Sequence, residues 1–415
     1  MSAAGKQVLI VGGGLAGLAC ALRLCQGGAR PLLFERSDGV GGRVRTDSLE
    51  GFLLDRGFQV FLSAYPEAGG LLDKASLDLR PFRPGALIHQ AGGMVRLMDV
   101  FRAPRHLWTS ARAPVGSLLD KLRVARLRWQ LTRLSSAAIA GHDDTTTELY
   151  LHRAGFSPGM IDGFFRAFYG GVFLERELRT SSRMFEFTFK MFSEGYATLP
   201  AQGMAAIPGH LAARLPAGTI RLGTEVLGVE AGAITLESGE RIPGEAVVVA
   251  TDATSAAGMM RLKTGPGTRW RAVTCLYFAA PHSPIGEPIL ALNGSGAGLV
   301  NNVCVPSDVA PGYAPPGQAL ISVSVLGQET SPELESRVLL ELETWFGEMV
   351  REWRHLRTYR IQRALPEQAP GSGFSGPGFQ RVAGVYVCGD HLWSPSIEGA
   401  IVSGLRTAEA ILRPS

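Results

Sequence analysis

The run Val8 to Leu24, VLIVGGGLAGLACALRL, holds glycines spaced G-x-G-x-x-G at Gly12, Gly14 and Gly17. An apolar strand leads into them and an apolar helix leads out. Gly12 permits the tight strand-to-helix turn. Gly14 lets a pyrophosphate approach the backbone, and Gly17 lets the helix lie close on the strand. The amides from Gly13 through Leu15 and Ala16 to Gly17 then face an anion, with the helix dipole adding to their attraction. A glycine-rich turn with no ligand is the alternative, and the placement between strand and helix argues against it. Pro31 to Phe34 reads as a second strand ending at Glu35, 18 residues past Gly17. A dinucleotide fold places an acid for the adenosine ribose hydroxyls roughly 20 residues on.

A second glycine-rich turn, SDGVGGRVRT, follows Arg36 and carries Gly39, Gly41, Gly42 and Arg43. A plain nicotinamide domain has no use for a fixed cation there. A larger cofactor, crossing the sheet edge with its phosphates exposed, does; a surface arginine is the alternative. Next, FLLDRGFQVFL turns at Asp55, Arg56 and Gly57 into a strand beginning at Phe58 and Gln59. Far along the chain, Val385 to Cys388 is again a short apolar strand, followed by Gly389 and Asp390. Pro395 then opens a helix whose Ile397, Ala400, Ile401, Gly404, Leu405, Ala408 and Leu412 keep helical period. The chain therefore returns to its first sheet for a second strand-to-helix turn.

These elements sit in a chain of 415 residues, 46% hydrophobic and 19% charged, enough for two to three domains and a large core. The net charge of +4 does not argue for nucleic acid, and no stretch approaches the ~20 apolar residues that span a bilayer. The N-terminal apolar run follows a single Lys6 and lacks a cleavage site, so it is no signal peptide. Five cysteines (Cys20, Cys25, Cys275, Cys304, Cys388) show no paired or metal-ligand spacing. Cys20 and Cys25 read as buried thiols, and the set fits a reducing cytoplasm. No histidines pair at metal-ligand spacing, and no metal is expected.

VGGGLAGL, LLFER, GVGGR and LDRGFQ, with VYVCGD and SIEGA near the end, resemble the flavin-dependent superfamily of amine oxidases, protoporphyrinogen oxidases and phytoene desaturases. The likeness covers the first sixty residues and the last thirty, with two weaker stretches between. It implies FAD, with Glu35 on the adenosine ribose and Arg43 near the pyrophosphate. Gly57, Phe58 and Gln59, after Arg56, would pass the isoalloxazine ring by their backbone. Val226 would hold the adenine edge, and Gly389 and Asp390 the phosphate-ribityl arm. Ser396, Ile397, Glu398 and Ala400 would face the pyrimidine end, where a helix N-terminus stabilises the reduced ring by up to ~2 kcal/mol. Glu398 opposes that effect unless ribityl hydroxyls or backbone amides hold it. The cysteine that bonds flavin covalently in some members is absent from the closing segment, so FAD is expected to be non-covalent.

The implied architecture is α/β. A Rossmann-like FAD-binding domain, a mixed parallel sheet with a β-meander, is built from residues 1–62, 196–264 and 366–415. An α+β substrate domain is inserted as a helical part, 63–195, and a sheet part, 265–365. Thr224 to Val229 and Ala233 to Leu236 read as the meander. Val247 to Ala250, Val273 to Ala279, Val300 to Val305 and Leu320 to Leu326 read as strands. Ser331 and Pro332 open a helix to Arg351. The segment from Tyr196 to Gly209 resembles the superfamily's return into the FAD domain.

Two patches of the middle read either way. FFRAFYGGVF and MFEFTFKMF are aromatic enough for core, yet Phe168, Tyr169 and Phe185 are also candidates to line a tunnel for an apolar substrate. Residues 102–133 carry many cations, with Leu118, Leu122, Ala125 and Trp129 at helical spacing. The favoured reading is a solvated helix packed by that stripe. The other is peripheral contact with a membrane, which would make the protein cytoplasmic but membrane-associated.

The superfamily's amine oxidases carry a lysine on the strand that here reads Val273 to Phe278, which has none; Lys263 falls well before it. They carry an aromatic residue at the position of Ser396, for which Trp393 is the nearest substitute. These departures leave hydride transfer to flavin from a small hydrophobic polyene, terpenoid or porphyrinogen as the leading reading. Amine oxidation with molecular oxygen and non-redox isomerisation are the alternatives. His391 is a candidate acid or base above the ring, set against a turn histidine bonded to the backbone.

Overall fold

The computed structural model describes residues 5–261, 268–372 and 376–413. Lys263 lies outside them. A six-stranded sheet runs in the order Ile220–Arg221, Arg30–Phe34, Gln7–Val11, Ala246–Val249, Val385–Cys388, Phe379–Val382. All neighbours are parallel except the last pair. The strand Gln7–Val11 lies inside the sheet, and Val8, Leu9 and Ile10 have no exposed surface, as expected of a parallel strand covered on both faces. Its register sets Val11 beside Phe34 and Val249, and Val249 beside Val387. The strands from the two ends of the chain thus finish level, which collects Gly12, Thr251 and Gly389 at one sheet edge.

On one face lie helix α1 (Leu15–Gln26) and the closing helix, which pack against Val8, Ile10, Leu33 and Val248. On the other lies the meander Val226–Glu230, Ala233–Leu236, Arg241–Pro243, whose Val226, Ile234 and Ile242 meet Leu9, Val11 and Phe34. A second, seven-stranded sheet has the order Arg354–Pro366, Trp270–Ala280, Ala319–Leu326, Val300–Cys304, Leu290–Asn293, Gly85–Gln90, Gly93–Met98. The helix Leu334–Phe346 covers its outer face through Val338, Leu342 and Trp345. That helix starts three residues later than the sequence predicts. The Ser331 hydroxyl caps no helix and instead accepts from the Glu333 amide, a turn before the helix.

The expected helical part, 63–195, needs correction. It contributes the hairpin Gly85–Gln90/Gly93–Met98 to the second sheet, in parallel register with Leu290–Asn293. Its amphipathic helix α2 (Leu118–Leu131) is opened by a capping box between Ser117 and Asp120. The favoured packing of α2 is also wrong. Asp120, Leu127 and Leu131 face inward, while Leu118, Leu122 and Trp129 are exposed. Ala125 is half-buried. The final helix, α3 (Ile397–Leu412), crosses α1 so closely that a Cβ on Gly404 would lie 2.1 Å from the Ala16 carbonyl oxygen. No helix is long and apolar enough to cross a membrane among the described residues. All five cysteines are free; Cys20 is buried as expected, but Cys25 only half-buried.

Candidate functional site

The glycines of the first loop divide by what they must accommodate. Gly12 has φ +110°, and a Cβ there would sit 2.8 Å from the Ala250 carbonyl oxygen. A Cβ on Gly17 would lie 2.0 Å from the Gly12 oxygen. Both are glycines for the sake of the fold. Gly14 is different. It is extended (φ −72°, ψ 178°), and nothing lies within 4 Å of its Cβ position. The protein's own packing does not require a glycine there, and open space lies beside the start of α1. No side chain caps α1 and no acid lies in its first turn, so the amides of Leu15, Ala16 and Gly17 face that space uncapped.

Glu35 stands at the rim. One carboxylate oxygen accepts from the Gly13 amide at 2.7 Å, the other from the Ser37 amide at 2.9 Å and hydroxyl at 2.7 Å. Thr224, two residues before the buried Val226, donates its amide to the Glu35 carbonyl. Arg36 points to solvent. The second glycine turn docks on the first: the Gly41 amide donates to the Gly13 carbonyl at 2.8 Å. A Cβ on Gly42, φ +60°, would be 3.4 Å from Gly14 Cα.

Arg43 is no free surface cation. It pairs with the buried Asp390 at 2.6 Å, donates to the Ala364 carbonyl at 3.0 Å and lies 5.7 Å from the Trp270 ring centre. It therefore joins the second glycine turn to the closing segment. His391 is not bonded through Nδ1 to the backbone; that atom is buried without a partner. Burial, with the Arg43 charge adding to it, pushes the imidazole below its usual range against the pull of Asp390 and Asp252.

The turn from Asp55 to Gln59 is braced on three sides. Gly57 has φ +89° and touches the Ile361 side chain, 2.7 Å from where a Cβ would be. Gln59 donates to the Arg43 carbonyl at 2.8 Å, and Phe58 packs edge-on against Phe82. Arg56 is held by Asp47 at 2.9 Å, a partner within its own hairpin. The role of Asp55 is not legible in the sequence. Its buried carboxylate accepts from the Thr46 hydroxyl, the Met204 amide at 3.0 Å and the Tyr313 hydroxyl at 2.8 Å. The Tyr277 hydroxyl donates to its carbonyl at 2.8 Å. Burial raises this carboxyl to about 6 despite those bonds. These contacts tie the turn to the second sheet, and nothing local in LLDRG signals partners more than 200 residues away.

At the closing segment the cap is Ser396, not Pro395: its hydroxyl accepts from the Gly399 amide at 2.9 Å. Ile397 and Ala400 follow half-buried. Gly389, φ +155°, donates its amide to Ser403 at 2.8 Å. The conflict over Glu398 is resolved by backbone amides. Its carboxylate accepts from Glu67 and Ala68, each at 2.9 Å, at the start of the helix Pro66–Leu71. Burial still raises its pKa against those two bonds.

The expected tunnel residues Phe168, Tyr169 and Phe185 are brought together, but in a packed cluster. Tyr169 and Phe185 lie in a closed aromatic core, 4.7 Å apart between ring centres and with 1% and 0% exposure. Phe168 stacks on Phe164 at the edge of the same cluster. Aromatic density reads alike for core and pocket, and here core wins. Trp393 lies apart from them, half-buried beneath the Arg406 guanidinium at 3.9 Å. Its carbonyl accepts from Gln368 at 3.0 Å.

A profile of the flavin-containing amine oxidoreductases matches residues 15–412. The chain belongs to this family. The cofactor of this flavin-containing oxidoreductase is FAD, and the residues present fit it: an uncapped helix start, open space at Gly14, an acid at the rim and a cation beyond the second turn. Among curated relatives, the coproporphyrinogen III oxidase of Propionibacterium freudenreichii subsp. freudenreichii is 28% identical over 173 residues, 40% of this chain and 32% of that protein. Protoporphyrinogen oxidase 2 of Arabidopsis thaliana is 40% identical over 73 residues, 18% of this chain and 14% of that protein. The matches thus span a third or less of these relatives' lengths. An oxidoreductase structure from Methanosarcina mazei superposes with a TM-score of 0.76 at 18% identity, covering 97% of this chain and 100% of that one. A putrescine oxidase bound to putrescine gives 0.72 at 18% identity, covering 98% and 99%. Both share the fold.

Proposed function

We propose that the protein dehydrogenates a small hydrophobic substrate of the polyene, terpenoid or porphyrinogen kind. The observation that carries this is the strand Trp270–Ala280, which has no lysine and directs Cys275 and Tyr277 toward the Asp55 turn. Relatives named for coproporphyrinogen and protoporphyrinogen oxidation and phytoene desaturation support it. FAD supplies the two-electron acceptor and, with no cysteine in the closing helix, is held without a covalent bond. On this reading residues 1–62, 196–264 and 366–415 hold the cofactor, and 63–195 with 265–365 hold the substrate. Glu35 and the amides from Gly13 to Gly17 bind the adenosine and diphosphate, and Arg43 neutralises the diphosphate from the second turn. The backbone from Gly57 to Gln59 and the capped start of α3 orient the ring. Trp393 excludes water on the substrate side, and His391 stands near Asp390 as a neutral acid/base group.

The test is anaerobic mixing of the holoprotein with amines, carotenes, porphyrinogens and squalene-type terpenes, followed by flavin absorbance. Bleaching by a polyene, terpenoid or porphyrinogen is the expected result. Bleaching by amines alone assigns amine oxidation. Product without net flavin reduction assigns isomerisation.

A further inference from the structure

We propose that the outward face of α2, with the segment 101–112 before it, docks the protein on an anionic lipid bilayer. The inference is independent of which substrate is oxidised. Seven large apolar side chains in this stretch are exposed, among them Trp108 at 71%, Leu122 at 61% and Trp129 at 56%. Side chains of this size normally end in a core. The capping box decides which side faces out. Asp120 is buried, and its carboxylate accepts from the amides and hydroxyls of both Ser117 and Ser157. That fixes the rotation of α2 and turns Leu118, Leu119, Leu122 and Trp129 to solvent.

Hydrogen bonds and ring contacts hold the pieces beside one another. Lys121 donates to the Ala111 and Ala113 carbonyls, which ties the start of α2 to the Trp108 segment. Arg128 pairs with Asp99 and lies 5.1 Å from the Phe101 ring centre, which ties its other end to Phe101.

Charge selects the occupant. Residues 101–133 hold eight cations and one acid, the buried Asp120, for a net +7 against +4 for the whole chain. Arg105, Arg112, Arg126 and Arg133 are exposed, with no acidic partner among the described residues. Arg133 lies 3.9 Å from the Trp129 ring centre and Arg112 5.9 Å from that of Trp108. Each pair sets a cation beside an amphipathic ring, the combination that settles at the boundary of headgroups and acyl chains. A groove of about 330 Å³ beside Arg83, Arg102, Arg105 and His106 adds a cationic recess at the same edge. A second copy is a poor occupant. A two-fold interface would set this face against itself, cation on cation, with no exposed acid to relieve it.

The full-length flavoprotein is sedimented with vesicles of phosphatidylcholine alone and of phosphatidylcholine with phosphatidylglycerol. Binding to the anionic vesicles should exceed that to neutral ones by about tenfold or more. The W108S/W129S variant should lose about tenfold while keeping its flavin spectrum. The R126Q/R133Q variant should lose about fivefold per cation, on anionic vesicles only. No binding to anionic vesicles overturns the proposal, as does equal binding by both variants. So does a concentration-dependent dimer that W108S/W129S dissolves, which assigns the face to a second copy. Capture on immobilised polyglutamate in preference to vesicles overturns it in favour of an acidic protein.

Discussion

Gly404 sits where α3 crosses α1, against Ala16 in the first turn of α1 and Cys20 one turn on. In the G404A variant two effects compete. Alanine is the better helix former by about 1 kcal/mol. Its methyl, however, falls 2.1 Å from the Ala16 carbonyl oxygen, 3.0 Å from the Ala16 carbonyl carbon and 3.1 Å from the Cys20 nitrogen. An ordinary contact is roughly 3.5 Å, so the helices must part by more than ~1 Å. The obstacle is backbone, which cannot rotate away. Overpacking of this kind costs about 1–3 kcal/mol, and the rigid neighbour places it at the upper end. The net expectation is about 2 kcal/mol of lost stability, a Tm lower by several degrees, and weaker retention of FAD. The G209A variant is the internal control. Gly209 is exposed in the helix Ala206–Ala213, with nothing within 4 Å of its Cβ position. The same substitution there should raise stability by up to about 1 kcal/mol. Thermal melts followed by circular dichroism, with flavin fluorescence in parallel, compare the pair. A G404A protein that melts at or above the parent refutes the close crossing.

Glu35→Gln keeps the shape of the side chain but sets an NH2 against either the Gly13 or the Ser37 amide. Losing a charge-assisted bond costs about 1.5–3 kcal/mol, so FAD should bind at least about tenfold more weakly in a fluorescence titration, with the fold intact. Asp55 has a folded pKa raised to about 6 from 3.8. Between those values the folded state holds the proton that the unfolded state has released, so stability should fall as pH rises through that window. Asp55→Asn should flatten this dependence in urea melts across the same range; an unchanged slope assigns it to another group. Asp120→Asn leaves part of a network of five hydrogen bonds from Ser117, Arg123 and Ser157 unsatisfied and should cost about 3 kcal/mol in urea denaturation.

Where short-range pattern and chemistry coincide, the sequence was easily read. Gly12 is marked by its own positive φ and Gly17 by the Gly12 carbonyl beside it, and Glu35 lies one strand away, so spacing alone points to them. The strand Val385–Cys388 and α3 were legible through apolar period. The hairpin Gly85–Gln90/Gly93–Met98 was not read, although Gly92 and Gly93 marked its turn. Its second strand is only half-buried and alternates weakly, so it carries little strand signal against the helical segments around it. The stripe on α2 was visible, but its direction was not, because direction depends on where Asp120 is anchored. Asp55, Arg56 and Glu398 show the same limit. Each has a side chain suited to a ligand, and each is spent on Tyr313, Asp47 or the amides of Glu67 and Ala68. Such partners are supplied by topology and leave no local trace.

The central claim is that a diphosphate occupies the open space beside Gly14, and the Gly14→Asp variant separates ligand from fold. Aspartate is a favoured residue at an extended N-cap and complements the helix dipole. With nothing within 4 Å of the Cβ position, the apo protein should keep or gain stability, by up to about 1 kcal/mol. The carboxylate would occupy the amides of Leu15 to Gly17 and repel the diphosphate, so the folded variant should purify colourless and release no FAD on denaturation. A G14D protein carrying one FAD per chain, as the parent should, contradicts the account.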